Sequence, residues 1–369
     1  MTPHTLLLTA RDTGAALQIG EIARSAWQYS SFTPVLYAAA PADRVLRGMG
    51  LEVVSVDTPV VSDTGSSDCE ALFRTADEVL DMVKPDAILT GLSGHGAGID
   101  EAIIARATGI PCYTFQDYWG DVNHLFDKIA DCYFTLDESA TRLTRERFHA
   151  DACITGSPKH ASYARLDTGI LHKGMRDQLG VHDDDLVIGL FGQPIKQETD
   201  YLDNIECFAA TFSQTAAKLI YRPHPDGSPE MTTKILKILD NRNIAPLNGA
   251  HTDLIEMLCG CDLVCSVFSS CNLDNIYLNY YSPAPLGLSV YLFLNDRMKD
   301  IHRTQTGQDH PPIVDEGFAV KCSDKGELLK ILAGHKELRA QYWHRIRQAL
   351  PDPEQAARKV LAKILQDLG

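Results

Sequence analysis

The sequence lacks the features that would place the protein across a membrane or on nucleic acid. It has no uninterrupted apolar stretch near the roughly 18 residues that a membrane-spanning helix needs. The N-terminus, MTPHTLLLTARD, has no charged leader, and its apolar run is too short for a signal peptide. Basic residues are in deficit, because 34 Lys and Arg stand against 49 Asp and Glu and give a net charge of −15. We therefore expect a cytoplasmic protein that does not bind nucleic acid.

The spacings that bind metals are also missing. Four of the ten cysteines cluster in CGCDLVCSVFSSC, but without the paired C-x2-C spacing of a zinc site. No D-x-D motif stands in a suitable loop, and the acidic run at 183–185 precedes a strand pattern and is interpreted as a solvated turn. The sequence thus predicts reduced thiols, no metal and no resident cofactor.

Short apolar runs alternate with helical patterns along the chain. Runs such as HTLLLTA and PDAILTG predict strands in the first half, and the alternation restarts at DDLVIGLFGQP, over 184–194. Strands that are apolar on both faces and alternate with helices are typical of parallel sheets covered by helices. The sequence predicts an α/β protein with Rossmann-like domains over 1–165 and 166–350 and a C-terminal helix over 351–369.

Two such domains in succession, ending in long helices, resemble the GT-B glycosyltransferase fold. The resemblance implies that the domains face each other across a cleft and that the last helix packs back on the N-terminal domain. The turn TGSPKH, over 155–160, resembles the start of the interdomain connection in UDP-N-acetylglucosamine 2-epimerases and many GT-B enzymes. Ligands of open α/β sheets bind outside the carboxyl ends of the strands, so loops directly after strands are the candidate sites.

The last helix has an apolar stripe at helical spacing. Docking of the stripe on the protein is the favoured interpretation. Peripheral association with a membrane surface is the alternative, because Arg358, Lys359 and Lys363 flank the stripe.

Two loops of the second domain place potential phosphate-binding groups directly after strands. Gly192 and Gln193 follow one strand, and a glycine there lets backbone amides approach an anion. In YRPHPDG, the prolines hold Arg222 and His224 extended on a stiff loop, where both side chains can donate to a phosphate. A plain tight turn is the alternative for the first loop.

A serine pair marks a third loop of the same domain. Ser269 and Ser270 end a strand and precede a helix, where hydroxyls and helix N-terminal amides can meet an anion. Simple N-capping is the alternative. All three loops are expected to open on the same edge of one sheet, which favours a shared ligand.

RPHP followed by a strand, SS and a helix resembles the histidine–proline and serine-pair motifs of bacterial sialyltransferases and of related capsule and Kdo transferases. The resemblance covers residues 184–275 and implies a CMP-sugar donor bound without metal. His224 would contact the CMP phosphate and stabilise its departure, and Ser269 and Ser270 would contact it from the other side. CDP-glycerol-type transferases have a similar stretch, so cytidine is more firmly implied than the sugar.

The first domain is then expected to hold the acceptor and the catalytic base. The acidic pair followed by glycine that those sialyltransferases carry is absent from residues 1–165. Among acids that follow strands, Asp117 in FQDYWGDVNH is the favoured base. Asp12 is the second candidate, with N-capping of the first helix as its alternative role. Four neighbouring side chains are predicted to contact the acceptor: His95, Glu101, Trp119 and Asp121.

The sequence therefore predicts a metal-independent glycosyltransferase. It would move a nonulosonic-type sugar, such as sialic acid or Kdo, from a CMP donor to a glycan or lipid-linked glycan, in the cytoplasm or at the inner face of the membrane. A UDP-sugar 2-epimerase, or another nucleotide-sugar or CDP-alcohol transferase on the same fold, is the first alternative. A non-catalytic GT-B-like scaffold in polysaccharide assembly is the second, because the acidic motif is absent.

Overall fold

The chain divides into two compact units, each built on one parallel sheet. The computed structural model describes residues 2–94, 96–247 and 253–369. Unit 1 comprises Met1–Ser162 and Pro351–Gly369, and unit 2 comprises Tyr163–Leu350. A 3-10 helix over Pro158–Arg165 contains the point of division.

Unit 1 is a seven-stranded sheet in the order β3-β2-β1-β4-β5-β6-β7, with every neighbouring pair parallel. Its strands are β1 (His4–Ala10), β2 (Phe32–Ala38), β3 (Val54–Ser55), β4 (Ala87–Gly91), β5 (Cys112–Phe115), β6 (Cys132–Thr135) and β7 (Asp151–Ile154). Its helices are α1 (Thr13–Trp27), α2 (Ala42–Gly48), α3 (Ser67–Val83), α4 (Ile99–Arg106), α5 (Glu138–Phe148) and α14 (Pro353–Leu368).

Unit 2 is a five-stranded parallel sheet in the order β12-β11-β10-β8-β9. Its strands are β8 (Val187–Phe191), β9 (Lys218–Arg222), β10 (Leu263–Ser266), β11 (Leu288–Leu292) and β12 (Val320–Cys322). Its α-helices are α6 (Thr168–Leu179), α7 (Glu198–Phe212), α8 (Pro229–Asp240), α9 (Leu254–Gly260), α10 (Cys271–Tyr281), α11 (Asp296–Thr306), α12 (Lys325–Ala333) and α13 (His335–Ala349). A short 3-10 helix covers Pro312–Val314.

The burial of the strands explains why they assemble in this way. All five residues of β4 and all five of β8 are buried, as expected for central strands covered by helices on both faces. The α/β class with two Rossmann-like domains is confirmed.

Some local predictions differ from the structure. The apolar run LEVVSVD predicts a strand over 51–57, but in the structure this strand comprises only the two exposed residues of β3 at the sheet edge. The sequence also predicts helical structure over 324–347, and the structure has two helices there, α12 and α13, that meet at Gly334. The ends of elements depend on contacts that no local pattern contains.

The last helix, α14, belongs to unit 1 and packs on α1. The buried side chains of its apolar stripe include Val360, Leu361 and Ile364. The stripe is therefore used within unit 1 and does not face a lipid surface. In the described part of the chain, no helix is both long and apolar enough to cross a membrane.

Candidate functional site

Two loops of unit 1 meet where its strand order reverses. The chain runs from β1 outward through β2 to β3 and then returns to the other side of β1 for β4. Such a reversal leaves a crevice outside the carboxyl ends of the two strands, and ligands of open α/β sheets bind there. Arg11 and Asp12 follow β1 at this point, and Ser93 and Gly94 follow β4.

Arg11 ties the loop after β4 to the end of β1. Its Nη2 donates to the carbonyl oxygens of Gly94 at 2.6 Å and Gly96 at 2.9 Å. Its Nε lies 3.6 Å from Glu101 Oε2, which also accepts from the Gly98 amide at 2.8 Å. Burial raises the pKa of Glu101, and the positive charge of Arg11 offsets part of this increase. Charge-assisted contacts of this kind hold the loop firmly in place.

Asp100, at the start of α4, is buried beneath the same loop. Its Oδ1 lies 2.5 Å from Thr9 Oγ1 and its Oδ2 lies 3.2 Å from Ser93 Oγ, both within hydrogen-bonding distance. Burial first, and then the charge of Glu101, raise the pKa of Asp100 to about 8. Asp100 is thus a neutral carboxylic acid at pH 7, and it bridges two strand ends through their hydroxyls.

The neutral state of Asp100 predicts a pH-dependent difference in stability. In the unfolded chain this carboxyl ionises near pH ~4, whereas in the fold it keeps its proton up to about pH 8. Because the folded state binds the extra proton between those values, wild type loses stability as the pH rises through that window. Asp100→Asn cannot ionise and keeps a polar group of the same shape beside Thr9 and Ser93. We expect this variant to gain stability relative to wild type as the pH rises.

Calorimetric unfolding midpoints of both proteins at about pH 5 and about pH 8 measure this difference. The exposed acid Asp81 in α3 provides the control, since Asp81→Asn should follow wild type at both pH values. A gap between Asp100→Asn and wild type that is the same at both pH values would refute a buried, protonated Asp100.

The two predicted base candidates lie together at the N-terminus of α1. Asp12 is the N-cap of this helix, and its Oδ1 accepts from the Ala15 amide at 2.8 Å. Its Oδ2 accepts from the Gly94 amide at 3.2 Å. Asp117 follows β5, and its Oδ2 lies 2.5 Å from the place that a Cβ on Gly14 would occupy. The glycine lets the carboxyl approach the first turn, where the helix dipole favours a negative charge.

Asp117 has the properties of a proton-transfer group. Burial first, and then the charge of Asp12, raise the pKa of Asp117 to about 7, against the opposing effect of Lys159. A carboxyl whose pKa lies near the working pH can both take and return a proton. The residue as a whole is half-buried.

Other side chains of the loop after β5 pack inward. Trp119 is 3% exposed, and its indole N–H donates to Asp137 Oδ2 at 2.7 Å. Gln116 is fully buried, and its Nε2 donates to the backbone carbonyl of Asp121 at 2.6 Å. These contacts shape the loop from below. The predicted contact between Trp119 and an acceptor stays a prediction.

A pocket of about 640 Å³ opens in unit 1 beside these loops. This volume is within the range of small-molecule sites. The loops after β3, β4 and β5 supply the lining, which consists of Ser62, Ser93, Gly94, Gly96, Asp121, Val122, Asn123, His124 and Leu125. The lining therefore includes Asp121, one of the four predicted acceptor contacts. Glu101 lies beneath the loop that lines the pocket, and His95 is outside the described residues.

The three predicted phosphate loops of unit 2 meet where its strand order reverses, between β8 and β10. Gln193, after β8, accepts at Oε1 from the Phe268 amide, after β10, at 2.7 Å. The Gly192 amide donates to the carbonyl oxygen of Arg222 at 2.8 Å. A Cβ on Gly192 would lie 3.1 Å from the His224 amide nitrogen, so this close approach favours glycine. The loops form one surface at the carboxyl edge of the sheet.

His224 is held by its own turn. Its Nδ1 accepts from the Asp226 amide at 3.1 Å, which corresponds to the tautomer with the proton on Nε2. Its carbonyl oxygen accepts from the Gly227 amide at 2.9 Å. The imidazole is 31% exposed. The group that His224 can offer a ligand is thus an N–H donor, which suits a phosphate oxygen.

The predicted serine pair has two different environments. Ser269 is buried, and its Oγ accepts from the Cys271 amide at 3.3 Å, so it supports the loop itself. Ser270 is the N-cap residue of α10, but its side chain makes no capping hydrogen bond and is exposed. Ser270 is therefore the more accessible member of the pair at the start of α10.

Groups that could bind a metal are scarce. Over the described ranges, no three His, Cys, Asp or Glu side chains are grouped so that they could hold a metal ion. The cysteines of the described chain form no disulfide.

Comparison with known proteins gives matches in structure but not in sequence. No protein-family profile and no curated protein matches the chain. The S. aureus MnaA–UDP co-structure is similar over 99% of this chain and 98% of that chain, with a TM-score of 0.70 and 14% identity. The UDP-GlcNAc 2-epimerase of Neisseria meningitidis, bound to UDP-GlcNAc, is similar over 98% and 100%, with a TM-score of 0.70 and 12% identity. MurG of Acinetobacter baumannii is similar over 99% and 100%, with a TM-score of 0.60 and 14% identity.

The chain has the GT-B fold. The predicted resemblance to GT-B proteins is confirmed at this level. Identities this low establish the fold alone, because one fold hosts many functions. The narrower resemblance to sialyltransferases and Kdo transferases stays a prediction.

Proposed function

We propose that the protein is an enzyme that acts on a UDP-activated sugar and inverts the configuration at C2, as a UDP-sugar 2-epimerase. The observation that carries this proposal is Asp117. It is a half-buried residue whose carboxyl has a pKa raised to about 7, and it lies beside Asp12 at the carboxyl edge of the unit 1 sheet.

Inversion at C2 requires a proton to leave one face of the carbon and a proton to return to the other. The electron pair of the broken C2–H bond forms a C1–C2 double bond while UDP leaves from C1. Readdition of UDP at C1, together with addition of a proton to the opposite face of C2, then gives the C2 epimer. No oxidant is needed. Groups that titrate near neutral pH suit both proton transfers. In this proposal Asp117 removes the proton, and Asp12 holds the pKa of Asp117 high.

Unit 2 supplies the groups that the departing nucleotide requires. The His224 Nε2–H, the Arg222 guanidinium and the exposed Ser270 at the start of α10 can each donate to phosphate oxygens. Donors that are fixed in advance stabilise the charge that develops as a phosphate leaves. Gly192 and Gln193 hold the three loops together.

Two comparisons support UDP over CMP as the nucleotide. The structures of MnaA with UDP and of the Neisseria meningitidis 2-epimerase with UDP-GlcNAc share the fold over nearly the whole chain. This similarity supports a nucleotide-sugar substrate and favours the epimerase over the CMP-sugar transferase.

The CMP-sugar transferase remains the second candidate because of one observation. The RPHP loop and the loop of the serine pair, which carry the resemblance to sialyltransferases, both contact the loop after β8 at one edge of the unit 2 sheet, the first through Gly192 and the second through Gln193. In a transferase, Asp117 would instead deprotonate an acceptor hydroxyl.

Thermal unfolding in the presence of UDP, UMP, CDP and CMP separates these candidates. A nucleotide at about 100 times its Kd stabilises the protein by about 2.7 kcal/mol. We expect a shift of the midpoint with UDP in wild type and its loss in His224→Ala. Asp226→Ala is the matched control, since it keeps the backbone amide that bonds His224, and it should retain the shift.

Each other outcome of the unfolding series has a definite meaning. A shift with CMP but not with UDP would overturn the epimerase proposal in favour of the transferase. No shift with any of the four nucleotides would overturn both and leave the scaffold hypothesis.

A further inference from the structure

The loop after β8 carries an amide side chain of which only one end is bonded to protein. Gln193 is 8% exposed, and its Oε1 accepts from the Phe268 amide at 2.7 Å. Because a backbone N–H donates to the oxygen of a side-chain amide, this bond identifies the other end as the Nε2 donor. Within the described part of the chain, no group accepts a hydrogen bond from Gln193 Nε2, and this atom is not enclosed by protein either. Gln193 therefore offers an N–H donor to a ligand.

This donor is fixed in place by packed residues on two sides. The backbone amide of Gln193 donates to Tyr201 Oη at 3.3 Å, and Tyr201 in α7 is 1% exposed. On the other side, the Phe268 ring packs against the fully buried His302, with ring centroids 5.3 Å apart. A donor that is held before the ligand arrives costs little conformational entropy when it binds.

Gln193 lies between the two other loops of the unit 2 edge. Strand β8 stands between β9 and β10 in the sheet, so His224 is on one side of Gln193 and the start of α10 is on the other. The N-terminus of this 11-residue helix favours an anion, and the exposed Ser270 there makes no capping hydrogen bond with its side chain. The acid of the first turn, Asp274, is 6% exposed and accepts from Tyr163 Oη at 3.2 Å.

We propose that Gln193 is a ligand-binding residue, whose Nε2 donates to a phosphate oxygen at the N-terminus of α10 while its Oε1 holds the loop after β10. The identification of this phosphate as part of a nucleotide rests on the proposed function. A phosphate suits the position because the neighbouring groups, His224 Nε2–H and Ser270, are also donors. The side chain thus has two roles, and each role uses a different atom of the same amide.

Two substitutions of Gln193 separate these roles. Gln193→Glu keeps an oxygen that accepts from the Phe268 amide, but it replaces the Nε2 donor by a carboxylate oxygen that repels a phosphate. Gln193→Leu removes both contacts. We expect Gln193→Glu to bind UDP and inorganic pyrophosphate about tenfold or more weakly than wild type in calorimetric titrations. Its unfolding midpoint without ligand should stay close to that of wild type, whereas the midpoint of Gln193→Leu should fall.

Gln214→Glu is the matched control. It introduces the same charge into the same unit, but Gln214 is exposed and lies between the end of α7 and the start of β9, at the opposite edge of the sheet. This variant should bind both probes as wild type does. A loss of affinity in Gln214→Glu as large as that in Gln193→Glu would overturn the proposal, because a general charge effect would then explain both.

Three further outcomes would overturn the assignment of Gln193. If Gln193→Glu binds both probes as tightly as wild type, Gln193 only supports the loop. If this variant loses affinity for UDP but not for pyrophosphate, its Nε2 contacts the nucleoside and not a phosphate. If wild type does not bind pyrophosphate, the edge of the sheet holds no phosphate site.

The same titrations distinguish this proposal from the proposed function. Wild type that binds pyrophosphate but not UDP would overturn the proposed function. In that case a loss of pyrophosphate affinity in Gln193→Glu, with Gln214→Glu unchanged, would still support the contact between Gln193 and phosphate.

Discussion

Asp117→Asn is expected to lower the turnover of a UDP-sugar by about 10²–10⁴-fold without unfolding the protein. Asparagine keeps the shape of the side chain but cannot take a proton from carbon. The Asp117 carboxyl lies in the space beside the first turn of α1 that a side chain on Gly14 would fill. Steady-state rates measure the effect, and the unfolding midpoint of the variant serves as the folding control. A turnover within a factor of a few of wild type would exclude Asp117 as the base.

The pH dependence of the rate tests the same assignment independently. A base must be ionised, so the rate of the wild-type enzyme should rise with pH and level off above the Asp117 pKa of about 7. Asp12→Asn removes the neighbouring negative charge that raises this pKa, and asparagine is as good an N-cap as aspartate. The rising limb should therefore move to lower pH in Asp12→Asn. If the rising part of the pH–rate profile stays at the same pH in Asp12→Asn, a group other than Asp117 controls the rate.

Asp262→Ala is expected to destabilise unit 2 by about 3–5 kcal/mol. Asp262 is 6% exposed, and its Oδ2 accepts from Arg176 Nη1 at 3.1 Å and from the Val187 amide at 2.8 Å. Its Oδ1 accepts from Arg339 Nη1, which anchors α13. Removing the carboxylate leaves two guanidinium groups without their shared counter-ion, one of them on the fully buried Arg176.

Calorimetric or denaturant unfolding measures this loss. The ion pair between Arg106 and Asp77 is the contrast, because both side chains are exposed. Asp77→Ala should therefore cost much less, since solvent screens exposed pairs. Equal losses of unfolding free energy in the two variants would show that the buried cluster around Asp262 stabilises the protein no more than an exposed ion pair does.

Sequence periodicity was sufficient to predict the fold class and the positions of the loops. Apolar runs followed by helical patterns are local features, and the loops after strands inevitably gather at the carboxyl edges of parallel sheets. The prediction that the loops of Gly192, Arg222 and Ser269 share one edge rests on this regularity. The hydrogen bonds of Gln193 with Phe268 and of Gly192 with Arg222 show that the three loops meet.

The details of the unit 1 site could not be predicted in the same way. Thr9 and Asp100 are 91 residues apart, and only the strand order β1-β4 brings them together. The loop GLSGHGAGIDEA offers both Asp100 and Glu101 as candidate acids, but the sequence has no measure of burial that sets one carboxyl apart from the other. One local signal does point to the site: Gly14, a glycine in the first turn of a helix, indicates close approach by another group.

The most direct test of the proposed function is to incubate the protein with UDP-GlcNAc in D2O and follow C2 of the sugar by proton NMR. We expect the C2 epimer, UDP-N-acetylmannosamine, to appear, with deuterium at C2 of the product, and we expect Asp117→Asn to show neither at a comparable rate. Folded protein that binds UDP but leaves C2 of UDP-GlcNAc without deuterium and without inversion would contradict the proposal.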